Sequence, residues 1–292
     1  MPSEADLATF EAHRSTLLAL AYRMLGDVGR AQDMVQEAWL RWHRRDVEVE
    51  TPKAFLVTVV TRLCLNELDS ARVRREHGRG DRLPEPVDLE SGGLSRLEAL
   101  EELSMAILVV LERLTPVERA VLLLHEVFDF PHEQIAPLVS RSPGACRKLL
   151  ERARRHVAAG RKLITASRDE HRRLLDAFLI ATSAGDVGAI KDLLAADAVL
   201  ITDGGPDGRA LRGIRNLRRP LEGAAHVAAF VAATSRRAEP EIERRELNGQ
   251  PAVVFSLEGR PFAAVLLAVA DGKIQRVFFH ADPNRLGHLG HP

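Results

Sequence analysis

The chain has 292 residues with 41 basic and 41 acidic side chains, so its formal net charge is zero and any charged function must be local. Its two cysteines, Cys64 and Cys146, fall in apolar helical stripes, which reads as core in a reducing compartment rather than as a disulfide or ligand pair. No apolar run approaches membrane-spanning length and no signal-peptide core opens the chain, so two or three soluble, cytoplasmic domains are expected.

Helical periodicity runs from Phe10 to Leu25, with Leu17, Leu18, Ala21, Tyr22 and Leu25 on one face and Gly26 as the stop. A second helix, Val28 to Trp42, buries Ala31, Met34, Val35, Ala38, Trp39 and Trp42. Asp33, Gln36 and Glu37 lie on its other face, by composition alone a solvated acidic surface. After the polar stretch His43 to Glu50, Thr51-Pro52 starts a third helix by the cap-then-proline signal. Arg62 and Asn66 share a face of that helix, and it ends basic with Arg72, Arg74 and Arg75. These three helices predict a compact all-α unit with one basic edge.

From His77 to Arg96 glycine, proline and acids replace the periodicity, which reads as a flexible linker between domains. Helicity resumes at Leu97 to Leu114. Thr115, Pro116 and Glu118 then form a capping box with proline in the first turn. Phe128 to Pro131 breaks that helix, a short one follows from His132 to Val139, and Ser142-Pro143 caps a third. On this last helix Cys146, Leu149, Leu150, Ala153 and Val157 form the buried stripe. Arg147, Lys148, Arg152, Arg154 and Arg155 lie outside it, with Glu151 the one acid among them. Two short helices, a tight turn and a basic second helix point to a DNA-binding helix-turn-helix.

Past a junction at Ala158 to Ser167 the pattern changes in kind. Helices are expected at Asp169 to Ala184 and Asp186 to Ala195, a strand at Ala198 to Asp203, and a helix at Leu221 to Ser235. Four strand-like runs follow, joined at Asn248-Gly249, Gly259-Arg260-Pro261 and Asp271-Gly272, which are hairpin signals. This predicts an antiparallel meander with helices on one face, hence α+β. Asp203, His226, His280 and Asp282 are the acid–base candidates here, but strand-end histidines and turn aspartates are more commonly structural, so no catalytic residue is assigned. His288 and His291 stand near the chain end, where disorder is expected. No metal-ligand spacing occurs, and no cofactor is expected.

The segment AQDMVQEAWLRWHRR, then TPKAFLVTVVTRLCLNELDSARVRRE, then the capped helix-turn-helix, resembles the bacterial extracytoplasmic-function sigma factors. The first two segments look like conserved regions 2.2 to 2.4 of that family, and Thr115 to Val157 looks like region 4. The remainder resembles a SnoaL-like domain, a cone-shaped α+β fold related to ketosteroid isomerase. The subgroup with that extension carries a Trp-Leu-Pro-Glu-Pro linker, an Asp-Gly-Gly-Gly-Lys turn and a terminal Asn-Pro-Asp-Lys-Leu. Here the counterparts are Arg82-Leu83-Pro84-Glu85-Pro86, Asp203-Gly204-Gly205-Pro206-Asp207 and Asp282-Pro283-Asn284-Arg285-Leu286, kept in outline and altered in detail.

The resemblance implies region 2 at 8–76, a linker at 77–96, region 4 at 97–160 and a regulatory SnoaL-like domain at 168–286. It also implies roles. Asp33, Gln36 and Glu37 would face core RNA polymerase, and His43 to Glu50 would accept an extruded base of the −10 element. Arg62, Asn66, Arg72, Arg74 and Arg75 would touch −10 bases and phosphates. Ser142 would cap the helix that enters the major groove at −35, where Arg147 and Lys148 reach base edges and Arg152, Arg154 and Arg155 hold phosphates. Pro84, Glu85, Pro86, Asp203, Gly204, Gly205 and the run from Asp282 to Leu286 would carry regulation. A separate anti-sigma protein would then not be required. Whether the cone takes a small molecule stays open, as do two other readings. One is a one-component repressor with a sensor domain, which leaves the first all-α unit without a role. The other is an enzyme with a DNA-binding appendage.

Overall fold

A computed structural model describes residues 4–75, 83–88, 104–204, 217, 219–235 and 240–290. Two compact units emerge. The first is helical and contains most residues of both expected DNA-binding segments, and the second contains the sheet together with the middle of the linker.

In the helical unit, α1 (Glu4–Leu25), α2 (Val28–His43) and α3 (Pro52–Arg75) pack on one another. Gly26, at φ 65°, closes α1 with its N–H on the Tyr22 carbonyl at 2.7 Å, a left-handed position that glycine adopts without strain. Asp27 then caps α2 by accepting from the Arg30 amide at 2.9 Å. Trp42, Tyr22, Phe10, Leu17, Leu20 and Leu56 are fully buried between the three helices. Farther along come α4 (Met105–Arg113), whose first residues Met105 to Ile107 group with the second unit, α5 (Pro116–Glu126), α6 (His132–Leu138) and α7 (Pro143–Arg161). α5 rests against α1 and α3, and α6 also reaches α3. The expected junction therefore begins later than Ala158, because α7 continues through Arg161. The part of the expected helix at 97–103 lies outside the described residues.

The second unit opens with α8 (Arg168–Ala184) and α9 (Val187–Leu193), capped by Ser167 and Asp186. Next come β1 (Leu194–Asp203), β2 (Leu221–Glu222) and α10 (Ala224–Ser235). β3 (Glu241–Leu247), β4 (Gln250–Leu257), β5 (Arg260–Ala270) and β6 (Lys273–His280) follow, and α11 (Pro283–Leu286) ends the series. The sheet order is β2-β1-β6-β5-β4-β3. β3 to β6 form the expected antiparallel meander, but β1 lies parallel to β6, with Asp203 beside His280. Register shifts interrupt β1, β4 and β5, the kind of irregularity that bends a sheet.

Three expectations are corrected here. Leu221 and Glu222 are not helical: they pair with Leu200 and Val199 of β1, and Gly223 at φ 91° breaks the chain before α10. The second hairpin turns at Glu258-Gly259, both at positive φ, so Arg260 and Pro261 already belong to β5. α9 stops at Leu193 because β1 starts at Leu194, earlier than the expected strand.

Leu175 and Phe178 of α8, Val227 and Val231 of α10, and Leu267 and Val277 of the sheet share one core. Strand alternation then turns Leu266, Phe278 and His280 to the opposite face, and these are buried too. That second face needs cover. Leu83 and Val87 from the linker and Leu286 and Leu289 from the tail are all buried in this same unit. Among the described residues no helix is long and apolar enough to cross a membrane.

Candidate nucleic-acid interface and linker site

The helix-turn-helix is built by local chemistry. The Thr115 hydroxyl accepts from the Glu118 amide at 3.3 Å, and the Glu118 carboxylate accepts from the Thr115 amide at 3.0 Å and its hydroxyl at 2.7 Å. Burial alone would raise the Glu118 pKa, but these bonds and Arg152 outweigh it and hold the carboxyl below its usual range. α6 follows, then a turn with Ser140 at φ 53°, and the Ser142 hydroxyl caps α7 by accepting from the Ala145 amide at 3.2 Å. Cys146, Leu150 and Ala153 are buried as the periodicity required, and burial pushes the Cys146 thiol up. Arg147, Lys148, Arg152, Arg154 and Arg155 are exposed on the rest of α7.

Those five cations differ in their surroundings. Arg152 donates to the buried Glu118 at 2.8 Å, so it is also part of the cap of α5. Arg147 pairs with Glu133 at 3.1 Å and Arg154 with Glu126 at 2.5 Å. Among the described residues no carboxylate pairs with Lys148 or Arg155. On α3, Arg62 and Asn66 are exposed one turn apart. Arg72, Arg74 and Arg75 continue the helix, and their side chains lie outside the described residues.

Asp33 and Gln36 project from α2 into solvent, and Glu37 bonds Arg41 one turn on at 3.0 Å. In the polar stretch that follows, Arg45 lies over the Trp42 ring at 3.5 Å and pairs with Asp6, which ties the start of that loop to the helical core.

The residues expected to carry regulation lie far apart in sequence, Glu85 and Arg285 200 positions from each other, and the fold brings Glu85, Asp203 and Arg285 together. Arg285 donates through Nε to Glu85 at 3.0 Å and through Nη1 to Asp203 at 2.5 Å. Asp203 Oδ2 also accepts from the Leu83 amide at 3.1 Å. Asp282 caps α11 by accepting from the Asn284 amide at 3.1 Å, which positions Arg285, and Leu286 is buried beneath it. Pro84 and Pro86 are buried on either side of Glu85, and Pro283 and Asn284 are exposed. Gly204 is buried next to Asp203, and Gly205 lies outside the described residues.

Two expectations fail at this point. The linker is not free along its length: Leu83 to Asp88 is fastened to the sheet unit, by Arg285 and by main-chain bonds to Asn248. His288 is not disordered: it sits in a 3-10 turn, Gly287 to Leu289, with Nε2 2.8 Å from the Pro86 carbonyl. His291 lies outside the described residues.

The acid–base candidates do not converge on one open site. Asp203 is taken up by Arg285 and Leu83, and Asp282 by its cap. His226 is exposed, its ring bonded to the Glu222 carbonyl. His280 is buried and pulled down to about 3, by desolvation first and then by Arg285. A cavity of about 120 Å³ at the β3–β4 edge, lined by Ile242, Arg245, Ser256 and Leu289 among others, contains none of the four.

Sequence reasoning missed several residues that hold this arrangement. Asn248 was visible only as a hairpin residue, yet its Oδ1 accepts from the Val87 amide at 3.1 Å. Gln250 accepts from the Met105 amide at 3.0 Å and donates to the Leu267 carbonyl at 2.9 Å. Arg245 donates to the Leu289 carbonyl at 2.5 Å and pairs with Asp88 at 3.7 Å. In the helical unit the nearly buried Arg119 joins α5 to the Met24 carbonyl of α1 and to Glu112. An asparagine, a glutamine or an arginine carries no local sequence signal for such distant partners.

The pattern described as Sigma-70 region 2 matches residues 9–74, and that described as Sigma-70, region 4 matches 104–157. The chain is 34% identical over 295 aligned residues to the ECF RNA polymerase sigma factor SigJ of Mycobacterium tuberculosis, covering 96% of this chain and 93% of that one. It is 33% identical to the probable ECF RNA polymerase sigma factor SigI of the same organism, covering 97% and 95%. The crystal structure of the Mycobacterium tuberculosis extracytoplasmic function sigma factor SigJ superposes with a TM-score of 0.73 at 31% identity, covering 96% of this chain and 98% of that one.

Proposed function

The chain belongs to the extracytoplasmic-function sigma factors of RNA polymerase, and from that membership we propose that its SnoaL-like domain regulates promoter-directed initiation by gripping the linker between regions 2 and 4. The observation that carries this reading is Arg285, bonded at once to Glu85 of the linker and Asp203 of the sheet.

The physical logic starts from the promoter. The −10 and −35 elements sit at a fixed spacing, so regions 2 and 4 must reach one particular separation to engage both. Free regions 2 and 4 instead pack together through α1, α3 and α5. An anchor in the middle of their connection biases the balance between packed and separated forms, and a differential of a few kcal/mol is enough to govern it. Because the domain is covalently attached, its effective concentration at the linker stays high without a second protein. A dedicated anti-sigma factor is therefore not needed in this scheme.

The remaining roles follow the family. Asp33, Gln36 and Glu37 meet core polymerase; Arg62, Asn66, Arg72, Arg74 and Arg75 serve the −10 element; Ser142, Arg147, Lys148, Arg152, Arg154 and Arg155 serve the −35 element. The work takes place in the cytoplasm with polymerase and DNA. The SnoaL-like domain acts by binding rather than by catalysis, since its acidic groups are spent on Arg285 and on the α11 cap.

In vitro transcription with the full chain, with the chain deleted from Asp282 onward, and with the chain deleted from Arg168 onward tests the proposal. Tail deletion removes Arg285 and the His288 contact with Pro86 from the grip, whereas domain deletion also removes Asp203 and Asn248, so the two should change promoter output to different extents. Equal output from all three proteins would contradict a regulatory domain.

A further inference from the structure

Two of the cations on the −35 helix are held by carboxylates that belong to the helices before it. Arg147 Nη2 donates to Glu133 Oε1 at 3.1 Å, reaching back to α6. Arg154 donates through both Nε, at 3.0 Å, and Nη2, at 2.5 Å, to Glu126 Oε1 at the end of α5. A carboxylate on the last residue of a helix is misplaced with respect to the helix dipole, so Glu126 owes its position to Arg154 rather than to α5. All four side chains are largely exposed, with Arg147 and Glu133 both at 62%, so these pairs contribute little to folding. Acids on a surface that approaches DNA also weaken its attraction to phosphate. A different benefit must be sought.

We infer that Glu126 and Glu133 determine the sequence specificity of −35 reading, by holding Arg154 and Arg147 in place and by opposing contacts that offer phosphate alone. The inference rests on the assignment of α7 to the −35 element. Non-specific binding is almost entirely phosphate electrostatics, so a nearby carboxylate subtracts from it directly. Base reading depends on a guanidinium fork presented in one orientation, and a side chain already held loses less freedom when it binds. Glu133 contacts Arg147 through one terminal nitrogen only, which leaves the other donors of the fork for a base edge. The two carboxylates therefore lower affinity for arbitrary DNA more than affinity for the cognate element. Arg155, with no such partner among the described residues, supplies part of the unselective attraction.

The test uses the full chain. Wild-type holoenzyme first selects its −35 element from a promoter library randomised there. Labelled duplexes of the selected and a scrambled sequence are then titrated across a salt series with wild type, E126Q/E133Q and E126A/E133A. Each removed carboxylate should steepen the salt slope by about 0.9 and raise affinity for the scrambled duplex about fivefold near 0.15 M salt. Affinity for the selected duplex should rise less, so that the selected-to-scrambled ratio falls at least threefold. The ratio should fall further in E126A/E133A, because the glutamine oxygen can still accept from Arg147. A purely structural role would move the thermal midpoint and leave the ratio alone. Ratios within twofold of wild type in both variants would overturn the inference. Failure of wild-type holoenzyme to select any −35 sequence would instead remove the assignment of α7, and the inference with it.

Discussion

Replacing Arg285 with alanine takes away the cation that two buried carboxylates share. The side chains of Arg285, Glu85 and Asp203 are 12%, 8% and 4% exposed, so Arg285→Ala leaves negative charge with little access to water. Removing one partner of such a pair costs about 3–5 kcal/mol. Asp203 retains the Leu83 amide, which places the expected cost near the low end, about 3 kcal/mol. The structure can relieve it by letting go of the linker, since release returns Glu85 to water. The penalty should therefore appear as local opening, on the order of 100-fold in the equilibrium between held and released segment. Hydrogen exchange reads this directly, because the amides of Leu83 and Val87 are held by Asp203 and Asn248. Both should exchange about 100-fold faster in Arg285→Ala while amides of β5 keep their protection. Arg285→Lys should fall between, since a point charge cannot serve two carboxylates as a fork does. Unchanged protection at Leu83 and Val87, or an equal loss throughout the sheet, would refute the reasoning.

Three more expectations come from other parts of the molecule. Burial pulls His171 down to about 4 and His280 down to about 3 from an ordinary value of 6.5, so both rings are neutral when folded. Between about pH 6.5 and 4 the unfolded chain binds protons that the folded chain does not; stability is thus full above pH 6.5 and declines as pH falls, by up to about 1.4 kcal/mol per unit for each ring. Urea unfolding followed through β5 amide exchange at several pH values checks this, and a flat profile would contradict it. Arg119→Met removes the guanidinium that joins α5 to the Met24 carbonyl, so a fluorophore pair on α2 and α7 should report a longer mean distance than in wild type, and no change would deny Arg119 that role. Reversing the charge of Asp33 and Glu37 together should abolish association with core polymerase and leave circular dichroism unchanged, as both lie outside the buried stripe of α2; normal assembly would remove them from that interface.

Much of this was legible in the sequence wherever short-range chemistry decided the outcome. The Thr115–Glu118 box, the Ser142 cap and the Asn248-Gly249 turn, with φ of 53° and 67°, all follow from residues within a few positions of each other. Long-range pairing was not legible. Leu83 to Asp88 reads as linker because proline and acid dominate it, while the groups that fasten it lie at Asp203, Asn248 and Arg285. Leu221 and Glu222 fit a helical pattern as well as a strand, and only β1 alongside them settles the choice. The basic face of α7 was visible as five cations, but Glu118, Glu126 and Glu133, which distinguish three of them, come from other helices. The family resemblance marked three motifs as regulatory. That one arginine would join all three came from the fold alone.

The central claim is that the SnoaL-like domain governs initiation through its hold on the linker, and run-off transcription with purified core polymerase tests it most directly. Wild type, Arg285→Ala and Arg285→Lys should be compared on one cognate promoter at equal holoenzyme concentration. The account predicts that transcript yield shifts severalfold in Arg285→Ala and in the same direction but less in Arg285→Lys, following the exchange rates of Leu83 and Val87. Identical yields from the three proteins, with the linker demonstrably released in Arg285→Ala, would contradict it.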